Sequence, residues 1–175
     1  MSENIRVLIS EEEIEKRILE MAKEISEFYK GEEVHLVSVL KGGVFFTCEL
    51  AKRLTVPVSI DFMSVSSYGN DTKSSGVVKV IKDLDEAIEG KNVLVVEDII
   101  DSGRTLSYLM ENLKSRKPKS LHLCTLLDKS ERRVIDVQVD YTGFAIPDEF
   151  VVGYGLDYMQ HYRNLPYIGV VELEA

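Results

Sequence analysis

The chain has 175 residues, 45% hydrophobic and 29% charged, which is typical of one globular domain with its own core. It has 21 Lys and Arg against 30 Asp and Glu, a net charge of −9. This charge argues against non-specific nucleic-acid binding, which needs cationic surfaces to replace phosphate counterions. No signal-peptide pattern and no apolar run of membrane-spanning length are present, so we expect a cytoplasmic protein without nucleic-acid or membrane partners.

The first predicted elements are a strand and a helix. Residues 5–9 (IRVLI) are typical of a short strand. Ser10 and Glu13 then form a capping-box pattern, and apolar residues follow at helical spacing as far as Phe28. The acidic residues between them predict a helix with one solvated face.

Three later segments are apolar almost throughout and predict strands that are buried on both faces: residues 34–40, 92–96 and 120–127. Such strands are typical of a parallel sheet with helices on each side. Further strands are predicted over residues 56–65 and 77–81. One helix is predicted after Gly43, to about Leu54, and another from Leu106 to a stop at Pro118. The fold class is therefore α/β, with a central, mostly parallel sheet flanked by helices.

The two cysteines and three histidines give no sign of a disulfide or a metal site. Cys48 and Cys124 each lie in an apolar stretch, so we expect both to be buried and reduced. The histidines, which are His35, His122 and His161, have no spacing typical of metal ligands.

Unusual residues follow each of the three buried strands. The first strand leads into Lys41-Gly42-Gly43, the second into residues 97–105 (EDIIDSGRT), and the third into Asp128-Lys129. In open parallel sheets, ligands bind beyond the carboxyl ends of the strands. We therefore expect these three segments to lie at one edge of the sheet and to form one site.

Residues 97–105 combine acids with the start of a helix. A helix N-terminus exposes unpaired N–H groups and the positive end of the dipole, and the small residues of 102–105 (SGRT) would let a phosphate approach the backbone. Glu97, Asp98 and Asp101 can accept hydrogen bonds from sugar hydroxyls or hold Mg²⁺. This pattern favours a sugar phosphate as ligand; the alternative is that the acids only cap and solubilise a turn. Neither nucleotide-binding glycine motif is present.

The segment VLVVEDIIDSGRTL (93–106) resembles the phosphoribosyl pyrophosphate-binding signature of type I phosphoribosyltransferases. It is most similar to the bacterial type of the hypoxanthine-guanine branch. Further segments resemble the same family in the same order: VLKGG, SSYGNDTKSSG, LLDKSERR, IPDEFVVGYGLDY and YRNLP. The resemblance implies a single domain over residues 1–175, with a mobile lid loop at about 66–76. It also implies a small hood built from the N-terminal strand and residues 145–175.

The resemblance also assigns roles to residues near the ribose and phosphate. Glu97 and Asp98 would bind ribose hydroxyls and Mg²⁺, and Asp101 would be the catalytic acid or base near N7 of the purine. The 5′-phosphate would be held by Asp101, Ser102, Gly103, Arg104 and Thr105. The pyrophosphate would be bound by Lys41, Gly42, Arg163 and the lid residues Ser67 and Tyr68. The peptide bond between Leu40 and Lys41 would be cis, although Gly42-Gly43 alone could form a simple tight turn.

For the purine, the resemblance implies four residues. Lys129 would donate to the 6-oxo group, although a lysine at a strand end is often only solvated. Phe150 would stack on the base, and Val151 would bind it through its backbone. Asp157 would lie near the 2-position and a second Mg²⁺.

The implied reaction is a step of purine salvage. It would join phosphoribosyl pyrophosphate to hypoxanthine or guanine, giving IMP or GMP and pyrophosphate, with Mg²⁺ as cofactor. The enzyme would be a homodimer or homotetramer. Two alternatives stay open: a nucleic-acid-binding regulator that senses the sugar pyrophosphate, with KSRKPK (114–119) as its one dense basic run, and a receiver-type domain phosphorylated on an acid.

Overall fold

Two β-sheets organise the chain, and the computed structural model describes residues 3–67 and 78–173. The elements, in chain order, are β1 (Glu3–Ile9), α1 (Glu11–Phe28), β2 (Val34–Val39), α2 (Val44–Arg53), β3 (Val58–Ser67), β4 (Val78–Lys82), β5 (Asn92–Ile100), α3 (Arg104–Lys114), β6 (Ser120–Asp128), a 3₁₀ turn (Ser130–Arg132), β7 (Tyr141–Ala145), β8 (Val151–Val152) and β9 (Ile168–Leu173). None of the helices within these ranges is both long and apolar enough to cross a membrane.

The larger sheet has six strands in the order β4-β3-β2-β5-β6-β7. All neighbouring pairs are parallel except β3 and β4, which are antiparallel. The predicted α/β class with a central, mostly parallel sheet is therefore confirmed. The carboxyl ends of β2, β5 and β6 lie side by side, which places the loops after them at one edge.

The core lies on both faces of this sheet because side chains alternate along each strand. On β5, Leu94 and Val96 pack in the cluster that includes α1 and α2 residues, whereas Val93 and Val95 pack in the cluster that includes α3 residues. This double burial explains why the strand has an unbroken apolar run in the sequence.

Helix α1 begins as the sequence predicts. The Glu13 N–H donates to Ser10 Oγ at 3.2 Å, and the Ser10 N–H donates to Glu13 Oε2 at 2.8 Å. The capping box thus satisfies N–H groups that have no partner within the helix. The buried side of the helix is formed by Ile14, Ile18, Met21, Ala22, Ile25 and Ser26.

The smaller sheet is antiparallel, with the order β1-β9-β8. It joins the N-terminal strand to the segment after residue 145, and Glu3 pairs with Leu173 at one end of the β1–β9 ladder. Ser66 and Ser67 end β3, and the rest of the segment proposed as a lid, including Tyr68, lies outside the described residues.

Strand β5 is longer than its apolar run predicts. The prediction ends at Val96, but the ladder continues, with Glu97 opposite Thr125 and Ile100 opposite Asp128 on β6. The first two acids of residues 97–105 are therefore held by a strand, and only Asp101 begins the loop. A rigid strand fixes their backbone more firmly than a loop would.

The expectation of two buried thiols is wrong for Cys48, which is exposed, and confirmed for Cys124, which is buried. The buried face of α2 is formed by Phe46, Thr47 and Leu50. At 3.6 residues per turn, Cys48 lies away from that face. An apolar segment did not reveal which side of its helix faces the core.

Leu94→Ala removes a fully buried side chain from the central strand, whereas Leu19 is 44% exposed on α1. We expect Leu94→Ala to lower the free energy of unfolding by about 2–5 kcal/mol, because the deletion loses burial and leaves a cavity. Leu19→Ala serves as the control and should change it by less than about 0.5 kcal/mol. Urea denaturation measures both; equal effects would contradict the assigned core.

Iodoacetamide should label Cys48 in the folded protein and leave Cys124 unmodified. Burial raises the pKa of the Cys124 thiol and also denies the reagent access to it. Intact mass spectrometry at about pH 8, near the pKa of a free thiol, should show one label in buffer and two in urea. In Cys48→Ser, labelling should require denaturant; rapid native labelling of that variant would count against the buried position of Cys124.

Candidate active site

A cavity of about 180 Å³ lies at the carboxyl end of β5. It is lined by Glu97, Asp98, Ile99, Ile100, Asp101, Ser102, Gly103, Thr105 and Leu106. Arg104 is exposed and is the first residue of α3. The cavity therefore has carboxylates on one side and the start of a helix on the other.

A larger cavity, of about 580 Å³, lies elsewhere, between α3 and residues 136–140. Its lining includes Ser120 and Leu121 at the start of β6, so it is not at the carboxyl edge of the sheet. Volume alone therefore does not locate the site. The smaller cavity lies at the edge where α/β sheets bind ligands, and this position makes it the candidate site.

The turn into α3 depends on Gly103. Its φ of 82° lies in the left-handed region, and a Cβ atom there would overlap the carbonyl oxygen of Ile135. Gly103 is the N-cap and makes no side-chain capping hydrogen bond, and the Arg104 N–H donates weakly to Ser102 Oγ at 3.4 Å. The other N–H groups of the first turn have no partner within the helix, and the helix dipole would favour an anion beside them.

Glu97 and Asp98 border the cavity with neighbouring carboxylates. Glu97 is buried, and its Oε1 accepts a hydrogen bond from the Asp98 N–H at 3.0 Å. Asp98 Oδ1 accepts from the Ile99 N–H at 2.7 Å. Burial, and then the charge of Asp98, raise the pKa of Glu97 well above its usual range. A cation beside the pair would stabilise both ionised forms.

The loop after β2 packs directly against these acids. A Cβ atom on Gly42 would overlap the carboxylate of Asp98, and a Cβ atom on Gly155 would overlap the carbonyl of Gly42. The peptide bond between Leu40 and Lys41 is cis, as the sequence resemblance implies. Gly42 thus lies between the end of β5 and the loop after β8.

A hydrogen-bonded network joins Lys41 to the loop after β8. Lys41 Nζ donates to Gln160 Oε1 at 3.2 Å, and Arg163 Nη2 donates to the same oxygen at 3.2 Å. Arg163 also pairs with Asp157 at 3.1 Å and donates to the Gly155 carbonyl at 2.7 Å. Two cationic side chains are thereby held close together beside Gly42.

On the other side of β5 from Gly42, the strand edge is formed by Lys129, Asp148 and Phe150. The Lys129 N–H donates to the Ile100 carbonyl at 3.0 Å, and Lys129 Nζ lies 3.9 Å from Asp148 Oδ1. Phe150 is exposed and contacts the ring of Tyr158 edge-on, with centroids 5.7 Å apart. Val151 is buried in β8.

The structure therefore assembles the expected residues into neighbouring groups. Residues 97–105 share one cavity or its rim, Lys41 and Arg163 share Gln160, and Lys129 lies against the end of β5. Asp157 pairs with Arg163 and does not join Glu97 and Asp98. Within residues 3–67 and 78–173, no group of three or more His, Cys, Asp or Glu side chains is arranged to hold a metal ion. The side chain of Ser67 lies outside what the structure describes.

The structure also adds residues that the sequence did not single out. Gln160 bridges two cations, Gly155 permits the close approach to Gly42, and Arg132 lies 3.2 Å from Asp101. Gly155 and Arg132 belong to segments that carry the family resemblance, IPDEFVVGYGLDY and LLDKSERR, whereas no pattern marks Gln160.

The sequence matches the family described as the phosphoribosyl transferase domain over residues 8–159. It is 54% identical over 175 residues to the hypoxanthine phosphoribosyltransferase of Salmonella typhimurium, covering 99% of this chain and 98% of that protein. It is 55% identical over 169 residues to the bifunctional protein TilS/HprT of Listeria monocytogenes, covering 97% of this chain but only 26% of that longer protein.

Solved structures agree with these sequence relationships. A hypoxanthine-guanine phosphoribosyltransferase from Bacillus anthracis superposes with a TM-score of 0.93 at 50% identity, over 97% of this chain and 100% of that one. The fold, the match to most of the chain and the high identity to complete relatives lead to one conclusion. This chain belongs to the phosphoribosyltransferase family.

Proposed function

We propose that this protein transfers the 5-phosphoribosyl group of phosphoribosyl pyrophosphate to N9 of hypoxanthine and of guanine, with Mg²⁺ as cofactor. The products are IMP or GMP and pyrophosphate, which makes the reaction a step of purine salvage. The observation that supports it most is the cavity of residues 97–106, which offers carboxylates and a helix N-terminus to one ligand. The names of the relatives support the choice of bases.

The 5′-phosphate binds at the start of α3. Ser102 and Thr105 supply hydroxyls, Gly103 lets the phosphate approach the backbone, and the exposed Arg104 adds positive charge. Asp101 borders the same cavity and begins the turn between β5 and α3.

Glu97 and Asp98 bind the ribose hydroxyls and take part in holding Mg²⁺. Magnesium sites in such enzymes use one or two carboxylates, with waters and substrate oxygens completing the shell. The donor set fits, because two adjacent carboxylates face one cavity and burial disfavours the ionised form of Glu97. Bound Mg²⁺ would neutralise charge on the departing pyrophosphate. Asp157 would lie near a second Mg²⁺.

Pyrophosphate binds to Lys41, the Gly42 backbone and Arg163, with Ser67 and Tyr68 closing from the lid. The cationic groups of Lys41 and Arg163 already converge on Gln160, which places the two charges side by side before any ligand arrives. A guanidinium fork and a lysine together suit a group with several anionic oxygens.

The purine binds between Lys129 and Phe150. Lys129 donates to the 6-oxo group, Phe150 stacks on the ring, and the Val151 backbone and Asp157 read the edge near the 2-position. Asp101 holds or moves the proton at N7 while N9 attacks C1 of the ribose. Cleavage of the C1–oxygen bond gives the sugar oxocarbenium character, so a lid over residues 66–76 excludes water that would intercept it.

The protein functions as a single domain over residues 1–175, in the cytoplasm, as a homodimer or homotetramer. These features follow the family and complete the proposal.

The regulator alternative has only the basic run at 114–119 in its favour, and the fold partly neutralises this run. Arg116 pairs with Asp83 at 2.7 Å and Lys119 with Glu32 at 2.6 Å. Two of the four cations in the run are thus already paired with carboxylates.

A base panel tests the proposed function. Purified protein with phosphoribosyl pyrophosphate and Mg²⁺ should form nucleotide from hypoxanthine and guanine, and not from adenine or uracil. Chelation of Mg²⁺ should abolish turnover, and renewed Mg²⁺ should restore it. Asp101→Asn should lower kcat by about 100-fold or more, because a proton-transfer group is lost. Absence of turnover with every base would refute the proposal.

Gly42→Ala should reduce catalysis without unfolding the protein. The added Cβ must displace the Asp98 carboxylate, and misplacing a catalytic group by about 1 Å can cost about 100-fold in rate. Gly31→Ala is the matched control, since Gly31 precedes β2 at the other end of the sheet and a Cβ atom added there would meet nothing within 4 Å. It can cost stability through its φ of 82°, but kcat/KM should stay at the wild-type value.

A further inference from the structure

Arg132 forms ion pairs with two acids from different loops of the site. Its Nε lies 3.2 Å from Asp101 Oδ1, and its Nη1 lies 3.3 Å from Asp148 Oδ1. Asp148 is also 3.9 Å from Lys129 Nζ. One guanidinium therefore connects the loop after β5 with the loop that leads to Phe150.

The two oxygens of Asp101 are in different surroundings. Oδ1 is buried and has no aligned hydrogen-bond donor among the described residues, so the guanidinium of Arg132 is its charged neighbour. The side chain as a whole is 45% exposed, and this exposure comes from its other atoms. Arg132 thus pairs with the buried oxygen, and the other oxygen of the carboxylate stays open.

The backbone around Arg132 is firmly attached to the same loop. The N–H groups of Val134 and Ile135 both donate to the Ser102 carbonyl, at 2.9 and 3.1 Å. Arg133 Nε donates to the Asp101 carbonyl at 3.1 Å, and the Arg133 guanidinium pairs with Asp128. The position of Arg132 relative to Asp101 is therefore set by the fold and not by its side chain alone.

We propose that Arg132 is a positioning residue for Asp101: its guanidinium fixes the orientation of the carboxylate while the open oxygen serves the purine. This rests on the proposed function. Arg132 does not touch the reacting atoms; it acts through Asp101 and, on its other side, through Asp148.

The charged groups around Asp101 show which cation lies closest to its carboxylate. From the segment packed against it come Arg132, Arg133, Lys129 and Asp128, and from its own segment come Glu97, Asp98 and Arg104. Arg133 is already neutralised by Asp128, and Lys129 lies closest to Asp148. Removal of Arg132 thus takes away the cation nearest to Asp101 and leaves its buried Oδ1 without that charged neighbour.

The test measures kcat and KM for hypoxanthine at neutral pH, at saturating phosphoribosyl pyrophosphate and Mg²⁺, in wild type, Arg132→Gln and Arg132→Lys. In Arg132→Gln, kcat should fall about fivefold, the size expected for an ion pair in partly exposed surroundings. Arg132→Lys retains the charge and should restore most of kcat. The KM for phosphoribosyl pyrophosphate should not change.

Arg6→Gln is the matched control. Arg6 also bridges two carboxylates, Glu149 at 2.9 Å and Glu172 at 3.0 Å, but contacts neither Asp101 nor Asp148. It removes the same charge near the same loop and should give the wild-type kcat. An equal fall in kcat in Arg6→Gln would mean that net charge alone is responsible and would overturn the role of Arg132.

Two further results would overturn it. One is a wild-type kcat for Arg132→Gln; the other is a rise in the KM for phosphoribosyl pyrophosphate, which would indicate a general loosening of the loop. If Arg132→Gln does not fold, Asp148→Asn replaces it. That variant leaves the guanidinium to Asp101 alone, so kcat should stay at the wild-type value, and a fall in kcat of about fivefold would refute the proposal. An inactive wild-type protein would remove the proposed function itself.

Discussion

The close approach of three loops at Gly42 is the contact on which the candidate site depends. The Asp98 carboxylate lies on one side of this residue, and the backbone of Gly155 lies on the other. Any side chain at Gly42 would separate the end of β5 from the loop after β2, and one at Gly155 would move away the loop with Asp157 and Arg163. Two glycines thus permit a spacing that larger residues would prevent.

Holding acids at the end of a strand has an energetic consequence. Glu97 continues the β5–β6 ladder opposite Thr125, so its side chain is buried, and its pKa is raised by burial and by Asp98. Burying an ionised carboxylate without a partner is costly. A cationic or hydrogen-bonding ligand in the neighbouring cavity would reduce the cost of burying ionised Glu97. The burial of this carboxylate therefore strengthens the binding of such a ligand.

Much of this arrangement could be predicted from the sequence, and the exceptions have physical reasons. Unbroken apolar runs predicted β2, β5 and β6, and the capping box predicted the start of α1, because these signals are local. Strands β7, β8 and β9 have no such signal: β8 has two residues, and the exposure of β7 is mixed. Cys48 was misplaced because an apolar segment does not show which face of a helix is buried. Gln160 and Arg132 act through contacts between distant segments, which a single sequence does not reveal.

The two groups of cations around the site differ in their partners. Lys41 and Arg163 share a neutral acceptor, Gln160, and Arg163 also pairs with Asp157. Among the described residues Lys41 forms no ion pair, so its charge is left for an anionic ligand. Arg132 and Arg133 are instead paired with carboxylates, Asp101, Asp148 and Asp128, so they shape the loop after β5 and bring little net charge. The charge of Lys41 therefore favours an anionic ligand on the Gly42 side of the strand edge. The side with Lys129 and Phe150, where cations and acids nearly balance, suits an uncharged planar base.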